Sequence, residues 1–377
     1  MKVLLLSSRL NLGGIGIYTV SLARSLKEKG IEVVVASSGG ELVDSLKKRS
    51  VEHIYIPVAT SADIGLHTLI SYFKLKRVIL EHKIDIIHAQ TRVTQVIAAL
   101  LSRKLKIGFV TTCHGFFKRR FFRKIFPCWG ARTIAISDAV RQHLVVDMKV
   151  PKENTSLIYN GIDISRFKQK KSTEDKKLIK KDFHLKQKPV VGVISRLSSI
   201  KGHKYLIGAF AKLLKDYPDL QLLIVGDGSM KYLSGLKSQI KKLGIEKSVV
   251  FTGACRDTSI PLSIIDVFCL PSIQEGLGLA ILEAMIMKVP VVASDVGGIY
   301  TLINHGKNGL LVPPKDEDAI SAAILEILLD KGLAKKMGLL SKKLVEEKFS
   351  LDLMRDSVIA AYKEIIDTND KELLKND

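Results

Sequence analysis

The stretch from Lys2 to Gly30 reads KVLLLSSRLNLGGIGIYTVSLARSLKEKG. Its first apolar run, Val3–Leu6, has the length and composition of a parallel strand that is buried on both faces. The glycine-rich turn Gly13–Gly16 follows, and the stretch Tyr18–Lys29 has the apolar spacing of a helix that ends at a glycine. A strand, a turn and a helix in this order form the first unit of an α/β sheet.

The same alternation of short apolar runs and longer amphipathic segments continues through both halves of the chain. The runs in the first half are Val3–Leu6, Val33–Ala36, Ile84–His88, Phe109–Thr112 and Ile134–Ile136, and those in the second half are Val190–Ile194, Leu222–Val225, Val249–Phe251, Val267–Leu270 and Val291–Ala293. Because helical segments separate these runs, the sequence predicts an α/β protein with two doubly wound parallel sheets. Ligands of such sheets bind at the carboxyl ends of the strands.

Length and charge also divide the chain into two halves. Its 377 residues are enough for two domains. Residues 1–188 contain 35 basic and 15 acidic side chains, whereas residues 189–377 contain 24 and 23, so that almost all of the net charge of +21 belongs to the first half. A positive field of this size attracts phosphate, nucleic acid or an anionic membrane.

Hydropathy and cysteine spacing exclude several protein classes. The longest uncharged stretch, Leu10–Ala23, has 14 residues, whereas a membrane-spanning helix needs about 20 apolar ones. The apolar run after Lys2 is too short for the core of a signal peptide. The four cysteines include no Cys-x-x-Cys pair, which is typical of reduced thiols rather than of a zinc site or a disulfide framework. We therefore expect a cytoplasmic protein.

Two basic side chains follow the first predicted strand of the second half. Arg196 and Lys201 lie in one loop after Val190–Ile194. A guanidinium fork and an ammonium group in the same loop can hold a diphosphate. Two solvated surface cations would have the same pattern.

The segment from Pro271 to Ala284 reads PSIQEGLGLAILEA and follows the predicted strand Val267–Leu270. Glu275 lies in the loop and Glu283 on the helix that follows, where both carboxylates can accept hydrogen bonds from sugar hydroxyls. The amides of the glycine-rich turn favour an anion at the helix N-terminus. An acid near the helix dipole and one solvated glutamate are the alternative. Carboxylates beside anion-binding amides favour a nucleotide sugar as the ligand.

These motifs, taken in order, resemble those of the retaining glycosyltransferases of family 4, which have the GT-B fold, over nearly the whole chain. The matching residues are Gly13-Gly14-Ile15-Gly16, Thr112-Cys113-His114-Gly115, Ile136-Ser137, Asn160-Gly161-Ile162-Asp163, Ser195-Arg196-Leu197 with Lys201-Gly202, Val225-Gly226-Asp227-Gly228, Glu275-Gly276-Leu277-Gly278 through Glu283, and Asp295-Val296-Gly297-Gly298. The resemblance implies two Rossmann-like domains that face each other across a cleft, and the transfer of a hexosyl unit from a nucleotide-diphosphate sugar.

The resemblance also implies roles for individual residues. Arg196 and Lys201 would bind the diphosphate and stabilise it as the leaving group, and Glu275 would contact the sugar hydroxyls. His114 would lie beside the reactive end of the donor sugar, and Glu283 would bind the ribose. The implied catalytic residues are His114, Arg196, Lys201 and Glu275, and the implied donor-binding residues are Gly14, Gly16, Gly226, Gly276, Leu277, Gly278, Leu279 and Glu283.

Domain boundaries and base specificity follow in part from the same resemblance. We expect an acceptor domain over residues 1–185 and a donor domain over residues 186–350, with the C-terminal helix, residues 351–377, packing back on the first domain. The loop of residues 254–261 departs from the family pattern because it has no aromatic residue. In the family this loop touches the base, so uridine and guanosine both stay open.

The sequence predicts no metal or other cofactor. Asp316-Glu317-Asp318 matches an Asp-x-Asp metal signature of a different glycosyltransferase fold, but the three acids open a helical stretch, which predicts a capping role. With cations and helix amides available, the charge of the leaving group can be stabilised without a metal ion. The resemblance implies metal-independent transfer with retention of the anomeric configuration.

The segment Phe116–Phe126 reads FFKRRFFRKIF and predicts a basic amphipathic helix. Such a helix binds an anionic membrane surface, and a core-facing helix with a solvated basic face is the alternative. The predicted membrane and acceptor residues are Phe117, Arg119, Arg120, Phe121, Phe122, Arg123 and Lys124. We therefore expect a peripheral enzyme on the inner face of the cytoplasmic membrane, with a glycolipid or lipopolysaccharide-type acceptor and no nucleic acid partner. A nucleotide-sugar epimerase or a sugar phosphorylase on the same fold, or a basic nucleic-acid-binding protein, are the competing hypotheses.

Overall fold

A computed structural model describes residues 1–58, 65–118, 123, 125–169 and 171–373 of the chain, with backbone only for residues 369–373. The chain forms two compact units. The first contains Met1–Gly161 and Leu351–Asp377, and the second contains Ile162–Ser350. The first unit thus ends 24 residues before the expected boundary after residue 185, because the lysine-rich segment before Pro189 and the turn before it group with the second unit.

The first unit is built on a seven-stranded sheet in the order β3-β2-β1-β4-β5-β6-β7, and all neighbouring strands are parallel. Its strands are β1 Lys2–Leu6, β2 Glu32–Ser37, β3 Glu52–Tyr55, β4 Ile86–Ala89, β5 Gly108–Cys113, β6 Arg132–Ala135 and β7 Thr155–Leu157. Its described helices are α1 Gly14–Glu28, α2 Val43–Lys47, α3 Leu66–His82, α4 Arg92–Leu105, α5 Asp138–Gln142 and, after the second unit, the C-terminal helix Leu351–Leu373.

Alternating side chains of β1 supply a hydrophobic core on each face of this sheet. Val3 and Leu5 pack with residues of α1 and with Val358 and Tyr362 of the C-terminal helix. Leu4 and Leu6 pack on the other face with residues of α3 and α4. Because both faces are covered, Val3–Leu6 of β1 are completely buried and form a continuous apolar run.

The second unit has a six-stranded parallel sheet in the order β10-β9-β8-β11-β12-β13. Its strands are β8 Val190–Ile194, β9 Gln221–Val225, β10 Val249–Gly253, β11 Val267–Leu270, β12 Val291–Ser294 and β13 Leu310–Val312. Its helices within the described residues are α6 Thr173–Asp182, α7 His203–Asp216, α8 Met230–Lys242, α9 Ser259–Leu262, α10 Leu279–Ile286, α11 Glu317–Leu329 and α12 Lys331–Lys348; the C-terminal helix is thus α13. Two doubly wound parallel sheets confirm the predicted α/β fold class.

The local structure confirms one prediction from the sequence and adds three strands that the sequence did not predict. The acidic triplet after Lys315 has the predicted capping role, since the Asp316 side chain accepts a hydrogen bond from the amide of Ala319 at 2.9 Å. The strands β3, β7 and β13 were not predicted, because each is shorter than the apolar runs that mark the other strands or carries polar residues. None of the helices in the described ranges is long and apolar enough to cross a bilayer.

Candidate active site

In the parallel sheet of the second unit, the order in which the strands were added reverses between β8 and β11. The strands β9 and β10 lie on one side of this pair and β12 and β13 on the other. Loops that leave the carboxyl ends of two such strands turn to opposite sides and leave a crevice, which is where ligands of doubly wound sheets bind. The loop with Arg196 and Lys201 follows β8, and the loop with Glu275 follows β11, so the topology places three predicted site residues at one switch point.

The structure brings Lys201 and Glu275 into direct contact. The Lys201 ammonium donates a short hydrogen bond to Glu275 Oε2 within an ion pair, and the side chains are 23% and 12% exposed. The Ser272 hydroxyl donates to the same carboxylate oxygen at 3.4 Å. A backbone hydrogen bond of 2.7 Å from Ile273 to Ile200 holds the two loops together. The pair therefore joins a cation and a hydroxyl-binding carboxylate at the mouth of the crevice.

Arg196 is a second cation in the loop that carries Lys201. It is exposed directly after β8, and its guanidinium has no ion-pair partner within the described part of the chain. An exposed guanidinium without a carboxylate neighbour keeps its full capacity for an anionic ligand. The loop thus offers one partnered cation and one unpartnered cation.

Two glycines let the loops of this site pack closely. Gly202 has φ +72°, and a Cβ there would lie 1.9 Å from the Pro271 carbonyl oxygen. Gly226 has φ +142°, and a Cβ there would lie 2.0 Å from the Ser195 carbonyl oxygen. Since no other residue fits these positions, Gly226 has a packing role beside its predicted donor-binding role.

The loop after β11 ends at the N-terminus of α10, where Gly278 has φ +98°. The segment Gly276–Leu279 thus leads into the first turn of this helix, whose amides have no intrahelical acceptor and favour an anion. Leu277 is buried and anchors the turn in the core. The described geometry is that of an anion-binding helix terminus.

Glu283 lies on α10 and is 6% exposed. Burial raises the pKa of its carboxyl group to about 7, while Thr258 and the guanidinium of Arg166 lower it and Asp257 raises it further. Burial disfavours the charged form of a carboxyl group. The group therefore changes its charge near neutral pH.

His203 is a buried residue at this site that sequence reasoning missed. It is the first residue of α7, and its Nε2 lies 3.0 Å from the Ser195 hydroxyl oxygen. Burial lowers its pKa to about 4, so the ring is neutral at pH 7. It supports the residue that precedes Arg196. Its position directly after Lys201-Gly202 was the available signal.

The first unit has its own switch point between β1 and β4. The glycine-rich turn follows β1, and its Gly16 is required because a Cβ there would lie 2.2 Å from the Asn11 carbonyl oxygen. At Gly14 a Cβ would meet nothing within 4 Å. Open space at the first turn of α1 admits an anionic group.

His114 follows β5 and contacts residues from two other elements of this unit. Its Nε2 lies 2.9 Å from Gln90 Oε1, which follows β4. With the amide oxygen of Gln90 assigned as the acceptor, Nε2 of His114 is the protonated nitrogen and Nδ1 is the acceptor. The Tyr18 ring of α1 packs edge-on against the imidazole with 4.8 Å between the centroids. Burial lowers the pKa of His114 to about 3, which keeps the ring neutral.

Sequence comparison identifies the family of the chain that carries these two switch points. The family model for glycosyltransferase family 4 matches residues 12–166, and the model for glycosyl transferases group 1 matches residues 174–343. The two matches together cover most of the chain and meet close to the boundary between the units. The chain is a glycosyltransferase that combines a family 4 domain with a group 1 domain.

Relatives of this glycosyltransferase align over most of their length. An uncharacterized glycosyltransferase of Methanocaldococcus jannaschii is 26% identical over 93% of this chain and 94% of that protein. The UDP-Gal:alpha-D-GlcNAc-diphosphoundecaprenol alpha-1,3-galactosyltransferase of Escherichia coli is 27% identical over 80% of each chain. The crystal structure of HepE from Anabaena in complex with UDP and glucose superposes with a TM-score of 0.86 at 24% identity, over 96% of this chain and 99% of that one. The glycosyltransferase therefore has the GT-B fold.

The predicted membrane segment of the glycosyltransferase is described only in part. Arg119, Arg120, Phe121, Phe122 and Lys124 lie outside the described residues. The Arg123 guanidinium lies 4.0 Å from the centroid of the Phe117 ring, which also packs against Trp129 with 6.0 Å between the ring centroids. Phe117 is half-buried in these contacts.

A metal site would need several ligand side chains close together in the described ranges of the glycosyltransferase. These residues contain no group of three or more His, Cys, Asp or Glu side chains that could hold a metal ion. The positive charge at the candidate site comes from Arg196, Lys201 and the N-terminus of α10.

Proposed function

We propose that this glycosyltransferase is a retaining, metal-independent hexosyltransferase that moves a sugar from a nucleotide-diphosphate sugar to a membrane-associated glycolipid or lipopolysaccharide-type acceptor. The observation that carries the donor part is the contact of Lys201 with Glu275 in the same crevice that the exposed Arg196 borders. The bond that must break joins the donor sugar to the diphosphate. The carboxylate would bind hydroxyls of the sugar, and the two cations would bind the diphosphate.

The reaction breaks the bond between the anomeric carbon and the diphosphate oxygen and forms a bond to the acceptor hydroxyl on the same face. The departing phosphate oxygen gains negative charge and takes the proton of the attacking hydroxyl. Arg196, Lys201 and the first amides of α10 would stabilise that charge in a crevice partly screened from water. These groups supply the positive charge that a metal ion supplies in other enzymes, which supports a metal-independent mechanism.

His114 would bind the donor sugar rather than transfer a proton. In this tautomer the Nε2–H of His114 donates to the Gln90 side-chain oxygen, and the lowered pKa keeps the imidazole neutral at pH 7. The remaining lone pair on Nδ1 accepts a hydrogen bond from a sugar hydroxyl. A neutral ring of fixed tautomer orients a ligand without adding a charge.

The charge distribution supports a membrane-bound acceptor. Residues 1–188 have a net charge of +20, from 35 basic and 15 acidic side chains, and a diphosphate needs only a few cations. A polybasic surface is attracted to an anionic leaflet, which supports a location at the inner face of the cytoplasmic membrane. The name of the Escherichia coli relative specifies a lipid-linked acceptor for that protein. We therefore favour a lipid-linked glycan over a nucleic acid as the partner.

A ligand screen followed by product analysis tests the proposal. Thermal unfolding with UDP, GDP and ADP sugars identifies the donor, since a ligand that binds only the folded state raises its stability. The anomeric configuration of the product and activity in the presence of a chelator then test retention and metal independence. Sugar transfer to inorganic phosphate, or an epimerised donor, would instead identify a phosphorylase or an epimerase.

Two substitutions test the assigned site. Lys201→Ala and Glu275→Ala are each expected to lower kcat/KM by about a hundredfold or more, because each removes a group that contacts the reacting bond. Lys204→Ala is the matched control, since this lysine lies on the neighbouring turn and its ammonium packs over the Tyr205 ring at 4.7 Å. Normal turnover in both site variants would refute the assignment.

A further inference from the structure

Helix α3 has a second apolar face that does not contribute to the core. Leu66, Leu69, Ile70, Phe73 and Leu80 are 71%, 53%, 46%, 61% and 58% exposed. At 3.6 residues per turn these five side chains share an arc of about 100°. They make up a quarter of the twenty large apolar side chains that are exposed among the described residues. We call these five residues the outer stripe of α3.

The opposite face of α3 is the one that packs on the sheet. Thr68, Ser71, Leu75, Val78 and Ile79 are buried there. A surface helix normally has polar residues on its outer face. Since the hydrophobic core on this face of the sheet does not include the outer stripe, folding of this unit does not explain its composition, and an exposed apolar patch marks an interaction surface.

Basic side chains border the outer stripe on both sides. On the helical projection Lys74 lies on one flank and Lys76 on the other. Arg77 lies within the arc, between Phe73 and Leu80 in the sequence, and forms an ion pair with Glu81 at 2.6 Å. The Lys74 ammonium lies 5.9 Å from the ring centroid of Tyr55, which is exposed on the edge strand β3. The helix has three basic residues and one acidic residue besides His67 and His82. Lysines beside an apolar stripe keep their charge in water while their aliphatic stems lie along it.

We propose that the outer stripe of α3, extended by Tyr55, docks on the surface of an anionic lipid bilayer. The apolar residues would enter the boundary between headgroups and acyl chains, and Lys74 and Lys76 would bind the headgroups. Charge favours lipid over a second protein copy, because another copy of a chain with net charge +21 repels this basic face. The inference rests on the proposed membrane acceptor for its biological meaning, and it assigns binding to an element separate from residues 116–126.

Vesicle co-sedimentation of the full chain tests this surface. The probe is a vesicle of equal parts phosphatidylcholine and phosphatidylglycerol, compared with pure phosphatidylcholine. The test variant is Leu69→Gln/Phe73→Gln, which keeps good helix formers on an exposed face. The matched control is Leu178→Gln/Leu329→Gln, since these leucines are 59% and 63% exposed on helices of the second unit. Thermal unfolding confirms that each variant is folded.

The wild type and the control are expected to bind the anionic vesicle. The test variant is expected to bind it with an affinity that is lower by about tenfold or more, because two apolar side chains no longer insert. Equal binding by the test variant and the wild type overturns the proposal, as does equal binding of the wild type to both vesicles. Loss of binding only in Phe121→Ser/Phe122→Ser would assign docking to the other segment. Donor binding, followed by thermal shift with nucleotide sugars, stays unchanged in the test variant, so failure of the proposed activity is seen separately.

Discussion

His114 and Gln90 come from neighbouring strands of the first sheet and meet with 2.9 Å between Nε2 and Oε1. Gln90 is 2% exposed, and its amide nitrogen has no hydrogen-bond partner among the described residues. Tyr18, whose ring packs on His114, connects the pair to Thr112, since the two hydroxyl oxygens lie 3.3 Å apart. The ring nitrogens of His88 lie 2.7 Å from the Thr112 hydroxyl and 2.6 Å from the Tyr362 hydroxyl. The C-terminal helix is thereby linked to the strand that carries His114.

Replacing Gln90 tests whether it positions His114. Gln90→Leu removes the acceptor of the Nε2 proton and is expected to lower kcat about tenfold through loss of one hydrogen bond. Gln90→Glu supplies a carboxylate that stabilises the imidazolium, so the pKa of His114 rises and turnover falls toward low pH. Steady-state pH profiles of both variants measure this. Gln142→Leu, at an exposed glutamine of α5, is the control, and identical profiles for Gln90→Glu and the wild type would contradict the positioning role.

The ion pair between Lys201 and Glu275 is expected to stabilise the free protein only slightly. Both side chains retain some exposure, so a double-mutant cycle with alanine should give a coupling of about 1 kcal/mol. Urea unfolding of the two single variants and the double variant measures it. A coupling indistinguishable from zero would mean that the contact does not persist in solution, whereas the loss of activity in each variant tests catalysis independently.

Glu283 makes stability depend on pH. Its folded-state pKa of about 7 lies above the ordinary glutamate value of 4.5, so its contribution to stability is fully present below about pH 4.5 and is lost as the pH rises through 7. Glu283→Gln should remove this dependence and raise the free energy of unfolding at pH 8 by about 3 kcal/mol. Unfolding from pH 5 to 8 measures both effects. An unchanged slope in the variant would show that another group titrates.

The same titration should control donor binding. If Glu283 accepts hydrogen bonds from the ribose, the carboxylate form binds best, and donor affinity should rise as the pH increases through about 7. Calorimetric titration with the donor nucleotide between pH 6 and 8 measures the trend. Glu283→Gln should bind the donor weakly at every pH, and a pH-independent affinity in the wild type would argue against the ribose contact.

Gly202→Ala is expected to destabilise the second unit. Its φ of +72° and the 1.9 Å separation from the Pro271 carbonyl oxygen force the backbone to move, at a cost of about 2–4 kcal/mol. Gly235→Ala is the matched control, because a Cβ there meets nothing within 4 Å and the residue lies inside α8. That substitution should stabilise the protein by up to about 1 kcal/mol. Equal unfolding midpoints for the two variants would contradict the packing role of Gly202.

The strands were predicted wherever burial on both faces demands a continuous apolar run. The run Val190–Ile194 became β8, with every residue buried. The two edge strands of the first sheet, β3 and β7, were not predicted because they are partly exposed, and exposure removes the need for an apolar run. Helix ends were shifted for a similar reason, since α1 begins at Gly14 rather than at Tyr18 and glycines carry little helical signal.

The residue types of the candidate site and their loops were determined by the sequence alone, since Arg196, Lys201 and Glu275 stand directly after apolar runs that must be strands. Tertiary structure decided which of them touch. The strand order places β8 beside β11 and thereby pairs Lys201 with Glu275 across 74 positions of the chain. Tertiary structure also brings Gln90 into contact with His114 and leaves the outer stripe of α3 exposed. Side-chain contacts between distant positions depend on strand order and helix packing, which local patterns of polarity do not encode.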